Sequence, residues 1–511
     1  MKREITTAIA ASIVGVATLQ AQERPNIILF LVDDLGWNDT SLPISGEKTK
    51  YNERYSTPNL EKMAQRGIMM TNAHAQALSV PSRASLMSGQ NSIRNGVTGD
   101  YTPTVNNSGT LEIEAGHPLD HRITLPKQLQ RAGYKTIHCG KYHLCEYESD
   151  APSPSDIGFD VNIAGSELGA PGSFLPEDNF TRKGKSRDGE DNVMVGLERY
   201  FGSETHLTDA LTEVAIEQMG IAVEEQKPFF LYLAHFAVHT PVQPHSRFMD
   251  RFDDIDDGLS ASEDQYGSMI SGVDASLGAI LAALESLEID DNTMVIFYSD
   301  NGGRVLFRDK KSLYDSFEHN YPLRSGKASA YEGGVRVPAV AYWPAKFKEG
   351  VVSDAPVMIE DLYTTCAALA KAKIPAQHIV DGHNLLPLFT TGKAPKSQQE
   401  RSMFFYLPYR FEGEEFLGPD FVDGGISPSS TINKEGWKLI YFHRDQSFEL
   451  YNLNSDISEQ NNLIDSQQRK ARALVEELDE YLQATAAINS IQLPEREATP
   501  LPLDAFNKRY K

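Results

Sequence analysis

Residues 79–89 contain the side-chain types and spacing that a nucleophilic site requires. Ser79 is followed by Pro81, and Arg83 lies one helical turn beyond the serine, ahead of a glycine at position 89. Proline presets the backbone for a first helical turn, and the N–H groups of a helix start favour an anion. An arginine adds a planar fork for oxyanions. The stretch predicts a serine nucleophile that faces an oxyanion, although an ordinary helix N-cap can have the same sequence.

Two other segments place oxygen ligands directly after apolar runs. The run 26–32 ends in Asp33 and Asp34, and the run 293–299 ends in Asp300 and Asn301. Such runs predict strands buried on both faces of a parallel sheet, and ligands bind beyond the carboxyl ends of these strands. Oxygen ligands without cysteine favour Ca²⁺ or Mg²⁺ over zinc. A solvated Asp-Asp turn is the alternative for the first pair, and the second strand end argues against it.

A lysine and two histidines are further candidates. Lys141 and His143 follow a predicted strand and are two residues apart, so in an extended chain both side chains would enter one pocket. His235 and His239 have the spacing of a zinc-binding pair on a helix. However, the aromatic run before them predicts a strand, which Pro241 ends. We therefore expect His235 to be structural.

The string 79–89 as a whole resembles the signature of the type I (formylglycine-dependent) sulfatases, in which cysteine or serine precedes x-Pro-Ser-Arg, and it has the serine version. Other segments resemble landmarks of that family: 140–143, with Tyr142 in place of a tryptophan, 239–241, the lysine segment 323–327 and the Glu-Gly-Gly segment 331–338. Two more are similar to bacterial polysaccharide sulfatases: 33–41 and 158–172.

This resemblance implies an α/β fold, namely an alkaline-phosphatase-like sandwich with a central, mostly parallel sheet, and a smaller C-terminal α+β domain. It implies that Ser79 is matured to formylglycine, whose hydrate is the nucleophile of the family. His239 would protonate the leaving sugar oxygen, His143 would help the second hydroxyl lose its proton, and His383 is a candidate substrate contact. The implied ligands of Ca²⁺ or Mg²⁺ are Asp33, Asp34, Ser79, Asp300 and Asn301. The implied catalytic side chains are Ser79, Arg83, Lys141, His143, His239 and Lys327.

Charge and the N-terminus restrict partners and location. The 511 residues include 48 basic and 71 acidic side chains, a net charge of −23. This acidity argues against non-specific nucleic-acid binding, so any attraction of a sulfate must be local. Residues 1–22 resemble a secretory signal, with a basic start and an apolar stretch shorter than the roughly 20 residues of a membrane helix. We expect an exported protein, periplasmic or extracellular, without a membrane span.

The chain is predicted to have three parts: the signal peptide 1–22, a sulfatase catalytic domain 23–395 and a C-terminal α+β subdomain 396–511. Residues 150–200 are rich in glycine, proline and charged side chains and lack a clear periodicity. They predict a long insertion over the active site that contacts substrate, and a merely solvated loop is the alternative.

Export and this insertion favour a sulfated carbohydrate as the substrate, and the resemblance suggests 4-sulfates on galactose- or N-acetylgalactosamine-type residues of polysaccharides. The implied partner is a formylglycine-generating maturase. One alternative is a phosphatase or phosphodiesterase of the same superfamily, which would use unmodified serine or threonine and two zinc ions. The other is a sulfated-glycan-binding protein with an inactive site, which would be expected to lack at least one catalytic-type residue.

Overall fold

The computed structural model describes most of the chain from residue 24 to residue 510. The described residues are 24–99, 120, 122–144, 152–181, 194–253, 255, 261–304, 319–408, 411–412, 425–485 and 500–510. The predicted signal peptide lies outside them, as does part of the predicted insertion at 150–200.

The central sheet has eight strands in the order β5-β4-β6-β1-β7-β8-β2-β9. Five of its seven strand pairs are parallel, and β8 is antiparallel to both of its neighbours. The predicted mostly parallel sheet is therefore confirmed. A separate parallel pair is formed by β3 and β10. The strands are β1 (Asn26–Val32), β2 (Ile68–Met70), β3 (Ala73–His74), β4 (Lys135–Gly140), β5 (Val161–Ile163), β6 (Phe229–Ala234), β7 (Thr293–Ser299), β8 (Ala339–Tyr342), β9 (Val351–Ser353) and β10 (Val357–Met358).

Helices cover both faces of this sheet. Along β1, Ile28 and Phe30 belong to the core under α2, α6 and α7, whereas Ile27 and Leu29 belong to the core under α3, α5 and α9. This alternation explains why β1 is apolar at every position. The helices of this domain are α1 (Lys50–Arg54), α2 (Pro58–Gln65), α3 (Ser79–Ser88), α4 (Ser92–Asn95), α5 (Leu125–Arg131), α6 (Leu207–Glu224), α7 (Ala261–Ser286), α8 (Glu332–Val335), α9 (Asp361–Leu369), α10 (Leu386–Thr391) and α11 (Lys396–Gln399).

Among the described residues, α7 is the one helix long and apolar enough to cross a membrane by length and composition. Within its most apolar window, 67% of the residues are buried inside the protein. Val273, Leu277 and Leu284 of this helix pack in the core beside β1, and their spacing places them on one face of the helix. The burial of α7 is that of a core helix.

The C-terminal part is a four-stranded antiparallel sheet that packs against α12. Leu474, Leu478 and Leu482 lie four residues apart on one face of this helix and pack in the core of the sheet. The smaller α+β domain is therefore present. The strand order is β11-β14-β15-β16, and β12 pairs with β13. The elements are β11 (Ser402–Leu407), β12 (Phe411–Glu412), β13 (Gly425–Ile426), β14 (Ser429–Lys434), β15 (Trp437–Phe442), β16 (Ser447–Asn452), α12 (Gln468–Ala484) and α13 (Pro502–Arg509).

A buried charge network joins the two domains at Glu332. Its carboxylate accepts from Lys438 of β15 at 3.0 Å and from Arg336 at 3.0 Å, and His74 Nε2 lies 3.0 Å away. Glu459 accepts from the Glu332 backbone at 2.7 Å. Despite burial, the Lys438 ammonium and His74 hold the pKa of Glu332 well below its usual range. The C-terminal domain thus holds α8, and with it the neighbouring loop that includes residue 327.

Glu360, which immediately precedes α9, makes the folding stability depend on pH. Glu360 is buried, and only one carboxylate oxygen is hydrogen-bonded, to Asn91 at 3.2 Å. Burial and the neighbouring Asp361 raise the pKa of Glu360 to about 7. Because the folded-state pKa lies above the unfolded one, folding stability falls as pH rises from about 4.5 to about 7, and is then level.

We expect Glu360→Gln to remove this loss, since glutamine does not ionise. Relative to the wild type, the variant should gain up to about 3 kcal/mol of unfolding free energy between pH 4.5 and pH 8. Urea unfolding at several pH values measures this gain. Glu349→Gln, at an exposed position, is the matched control and should show no pH-dependent gain. Parallel pH profiles for Glu360→Gln and wild type would contradict the assignment.

Candidate active site

The site lies where β1 and β7 end side by side. These strands are adjacent and parallel, with Val32 in register with Ser299. The residues that follow, Asp33 and Asp34 on one strand and Asp300 on the other, therefore meet at one edge of the sheet. Their carboxylate oxygens lie within 4.8 Å of one another, and all three side chains are buried. The sequence predicted that the two strand ends would converge, and in the structure they do.

Ser79 is the first residue of α3 and points into this carboxylate group. Its Oγ lies 3.1 Å from Asp33 Oδ1 and 3.1 Å from Asn301 Oδ1. The N-cap of α3 is Leu78, so Ser79 does not cap the helix, contrary to the alternative interpretation of the sequence. Ser82 fixes the preceding turn by accepting from Gln76 N at 2.9 Å. The serine hydroxyl therefore faces the carboxylates instead of capping the helix.

Three buried or half-buried cations surround the carboxylates. Arg83 donates Nε and Nη2 to Asp300 Oδ2 at 3.0 and 2.7 Å. Lys141 Nζ lies 2.7 Å from Asp33 Oδ2 and 3.4 Å from Ser79 Oγ. Lys327 Nζ binds both oxygens of Asp34 at 2.7 and 2.9 Å. We call these side chains the Ser79 cluster: Ser79, Asp33, Asp34, Asp300, Asn301, Arg83, Lys141 and Lys327.

The two adjacent carboxylates of the cluster differ in acidity. Burial and the Asp300 carboxylate raise the pKa of Asp33 to about 8, although Lys141 opposes them. Burial acts in the same direction on Asp34, but the Lys327 ammonium outweighs it and lowers the pKa of Asp34 below its usual range. Asp33 and Asp34 are neighbours in sequence, yet they are not electrostatically equivalent.

Close backbone packing brings Lys327 to the cluster. Lys327 N donates to Gly303 O at 3.0 Å, and Gly302 N donates to Gly334 O at 3.0 Å. A Cβ on Gly302 would lie 1.8 Å from Gly333 O, so any side chain there would force the segments apart. The Glu-Gly-Gly segment predicted as a family landmark therefore places the loop that presents Lys327.

The predicted histidines occupy different positions around the cluster. His239 is partly exposed, and its Nε2 lies 3.7 Å from Asp34 Oδ2, at the mouth of the cluster. His235 is fully buried and contacts Ser276 Oγ at 2.9 Å, so it is structural, as expected. The backbone of His143 is left-handed, with φ of 43°, so strand alternation with Lys141 is not what orients its ring.

The ring of His143 is held by the described part of the segment predicted as an insertion. Its backbone N donates to Ser166 O at 3.2 Å. A Cβ added to Gly169 would lie 2.6 Å from His143 Cε1, so the ring rests on the glycine backbone. The segment therefore contacts a predicted catalytic side chain.

Gly169→Ala tests this positioning. The added methyl must displace the imidazole, and a shift of about 1 Å in a catalytic group can lower kcat about 100-fold. We expect a fall of that order with a melting temperature close to wild type. Gly220→Ala, where an added Cβ meets nothing within 4 Å, is the control. Unchanged kcat in Gly169→Ala would show that His143 needs no fixed position.

The side chains of the Ser79 cluster fit a hard divalent cation. Three carboxylates and the Asn301 amide supply the oxygen donors that Ca²⁺ and Mg²⁺ prefer. Within the described ranges, no other group of three acidic, histidine or cysteine side chains comes as close together. The histidine-rich ligand set that a two-zinc phosphatase requires is therefore not found among the described residues.

Sequence reasoning missed the residues that brace the cluster. Tyr232 OH lies 3.4 Å from Arg83 Nη1 under the sheet edge. Asn320 accepts from Gly303 N at 2.9 Å and donates to Ser325 O at 3.1 Å, which joins the loops after β7. Tyr232 resembles any other core aromatic of β6, and Asn320 stands in no motif. Their roles arise from long-range contacts that no local pattern encodes.

The structure does not bring His383 to the Ser79 cluster. The two residues before it, Asp381 and Gly382, donate their N–H groups to Gly89 O at 2.8 and 3.2 Å. Gly89 follows the last residue of α3, whereas Ser79 is its first residue, so the two ends are about 15 Å apart. His383 N donates to Asp361 Oδ1 at 2.7 Å near the interdomain contact. This placement favours a structural role.

A serine held among carboxylates and cations, at the carboxyl edge of an α/β sandwich, defines a class: metal-assisted hydrolases of tetrahedral oxyanion esters. A model of the sulfatase family matches residues 25–372, and a model of the N-sulphoglucosamine sulphohydrolase C-terminal domain matches residues 324–487. The chain belongs to the sulfatase family and is a sulfuric ester hydrolase. Its fold is the alkaline-phosphatase-like sandwich that the sequence predicted.

Relatives extend this likeness over nearly the whole chain. The N-acetylgalactosamine-6-sulfatase of Mus musculus is 34% identical over 406 residues, 77% of this chain and 71% of that protein. The N-acetylgalactosamine-6-O-sulfatase of Bacteroides thetaiotaomicron is 27% identical over 90% of this chain and 93% of its own length. The crystal structure of Ps i-CgsB in complex with k-i-k-neocarrahexaose superposes with a TM-score of 0.71 at 27% identity, covering 95% of this chain and 97% of that one.

Proposed function

We propose that this protein hydrolyses O-sulfate esters of carbohydrates, with Ser79 matured to formylglycine. The observation that carries the proposal is the position of Ser79 Oγ, 3.1 Å from both Asp33 and Asn301 and 3.4 Å from the Lys141 ammonium. A hydrated aldehyde at residue 79 supplies two hydroxyls, one that attacks sulfur and one whose deprotonation releases sulfate and restores the aldehyde. An unmodified serine lacks the second hydroxyl, so it would be trapped as its sulfate ester after one attack.

The proposed metal is Ca²⁺, with Mg²⁺ as the other candidate, held by residue 79 together with Asp33, Asp34, Asp300 and Asn301. Such an ion polarises a sulfate oxygen and stabilises an ionised hydroxyl. The buried cations Arg83, Lys141 and Lys327 orient these carboxylates through the contacts described above. They also add positive charge around the equatorial sulfate oxygens, which preorganises the site for the transition state.

Two histidines move the protons in this scheme. His239, at the partly exposed mouth of the cluster, protonates the sugar oxygen as the sulfur–oxygen bond breaks. His143, held by Gly169, accepts the proton of the second hydroxyl on residue 79, after which the bond between that carbon and the sulfate oxygen breaks. Sulfate leaves, and water hydrates the restored aldehyde. Each turnover consumes one water and releases one sulfate and one sugar hydroxyl.

The proposed substrate is a sulfated galactose- or N-acetylgalactosamine-type carbohydrate. The expectation of a 4-sulfate remains a prediction, and the names of the mouse and Bacteroides relatives favour a 6-sulfate. We further propose export to the periplasm or beyond, after removal of residues 1–22. A maturase would first remove two hydrogens from Ser79 of the unfolded chain and pass them to an oxidant of its own.

Sulfate release from a panel of esters tests the proposal. The panel contains 4- and 6-sulfated N-acetylgalactosamine and galactose, oligosaccharides that carry them, an aryl sulfate and the matching phosphate esters. We expect turnover on one sulfated sugar with at least tenfold preference over its phosphate analogue, about 1.4 kcal/mol of discrimination. A preference for phosphate esters by protein with unmodified serine would support the phosphatase alternative. Binding of sulfated sugars without turnover would support the glycan-binding alternative.

A further inference from the structure

A second cleft lies between two segments of the chain that follow strands β1 and β7. It has a volume of about 690 Å³ and lies between residues 45–51, which follow β1, and Tyr321 and Pro322, which follow β7. Both walls therefore come from segments that begin at the strand ends that bear Asp33 and Asp300. The cleft uses none of the side chains of the Ser79 cluster.

One buried asparagine fixes both walls of this cleft. Asn38 Nδ2 donates to Tyr321 O at 2.8 Å and to Thr49 Oγ1 at 2.7 Å. Asn52 donates to Asn38 Oδ1 at 2.7 Å and completes the brace. Asn38 lies four residues after Asp34, so the cleft is connected to the loop that bears this proposed metal ligand. A pocket whose walls are fixed in this way suits a ligand that must be held in register with the site.

The side chains of the cleft combine an aromatic ring with positive charge. Tyr321 is 50% exposed, and it is the one aromatic among the large hydrophobic side chains that the described residues expose. Lys48 and Lys50 are also exposed and line the same cleft, against one acid, Glu47. The Lys50 Nζ lies 5.0 Å from the centroid of the Tyr51 ring, so Lys48 is the main cation offered to a ligand. In a chain of net charge −23, a locally basic cleft is selective for an anion. An exposed aromatic ring supplies a flat apolar face for the C–H face of a sugar.

We infer that this cleft is a subsite for a second, acid-bearing sugar unit of the substrate. The inference rests on the proposed function, because the sulfated unit must occupy the Ser79 cluster at the same time. Tyr321 and Lys327 are six residues apart, so their Cα atoms are at most about 20 Å apart, within reach of a short oligosaccharide. Tyr321 packs against the ring, and Lys48 and Lys50 contact its sulfate or carboxylate. The enzyme thus recognises an acidic oligosaccharide and not only a single sulfated sugar.

Tyr321→Ala and Lys48→Gln test the subsite by comparing substrates of different length. On a sulfated tetrasaccharide, each variant should lower kcat/KM about tenfold through KM, because it removes one ring or charge contact. On an aryl sulfate or the sulfated monosaccharide, both should match wild type. Tyr321→Phe should retain the tetrasaccharide rate. Val352→Ala and Lys346→Gln, at exposed positions elsewhere, are the matched controls.

Two tetrasaccharides distinguish the sources of the acid, one with a uronate and one with a second sulfate on the neighbouring unit. If Lys48→Gln lowers kcat/KM on either tetrasaccharide, the result supports the subsite and identifies the anion that it binds. Equal losses of kcat/KM on the tetrasaccharide and on the aryl sulfate would overturn the subsite, since the substitution would then act on the Ser79 cluster. Unchanged kinetics on every substrate would also overturn it.

Binding provides a readout that does not depend on turnover. Titration calorimetry of the tetrasaccharide with Ser79→Ala protein should give a dissociation constant about tenfold higher when Tyr321→Ala is added. Equal affinities would overturn the subsite and leave the proposed function intact. If wild-type protein hydrolyses no sulfate ester, the proposed function fails while the binding measurement still decides the subsite.

Discussion

Ser79→Ala is expected to abolish sulfate release, with kcat reduced at least about 10⁴-fold, as for loss of a covalent nucleophile. Alanine lacks the side-chain oxygen, so it has neither a hydroxyl to attack sulfur nor an alcohol that the maturase could oxidise to the aldehyde. Its backbone still starts α3, whose N-cap is Leu78, so the fold should be retained. Initial rates of sulfate release, with the melting temperature measured in parallel, check the prediction.

Ser85→Ala is the matched control for this substitution. Ser85 lies on the same helix and is equally buried, but its hydroxyl has no hydrogen-bond partner in the described structure. We expect it to retain wild-type turnover. A Ser79→Ala protein with more than a few per cent of wild-type activity would show that the reaction does not pass through residue 79. The oxygen that attacks sulfur would then have to come from a water molecule.

Asp300→Asn should have the second-largest effect, because Asp300 serves two partners. Its carboxylate is a predicted metal ligand, and it accepts both the Nε and Nη2 bonds of Arg83. Asparagine is nearly isosteric, but it removes a negative charge and leaves the buried guanidinium undercompensated. We expect loss of the bound divalent ion and a fall in kcat of at least about 10²–10³. Metal content by mass spectrometry and kcat are both measured.

Asp381→Asn provides a control with the same chemistry elsewhere. Asp381 pairs with Arg94 through three hydrogen bonds of 2.8 to 3.0 Å, but it lies at the far end of α3. The control should retain both metal and turnover. Full metal content in Asp300→Asn would contradict the assignment of Asp300 as a ligand, even if activity were lost.

The Ser79 cluster could be predicted because its side chains follow strong local patterns. Asp33 and Asp300 end uninterrupted apolar strands, and the parallel pairing of those strands brings them together. Ser79 and Arg83 share one helix, where spacing alone determines their relative positions. For these residues, a local pattern and one topological rule suffice.

The less predictable parts of the site depend on contacts that the local sequence does not encode. Strand alternation does not account for the orientation of His143, because the backbone there is left-handed and the ring lies against Gly169. His383 is a predicted substrate contact, yet Asp381 and Gly382 before it bond to Gly89, at the end of α3 away from Ser79. Asn320 and Tyr232 belong to no recognisable motif, because their roles depend on contacts with residues distant in the sequence.

The fold, like the site, has parts that local sequence predicts and parts that depend on long-range contacts. The apolar runs of β1 and β7 predicted strands buried on both faces, and both strands are buried along their whole length. The buried pairing of Glu332 with Lys438 joins residues 106 positions apart, and neither belongs to a pattern that marks a partner. Interdomain contacts of this kind are visible only once the topology is known.

The mass of the peptide that contains residue 79 tests the central claim most directly. It should be measured on protein from the native host, from the same preparation that releases sulfate from a sulfated sugar. We predict a peptide lighter than the serine form by two hydrogens, about 2 Da, in proportion to the active fraction. Unmodified serine in a fully active preparation would contradict the formylglycine mechanism.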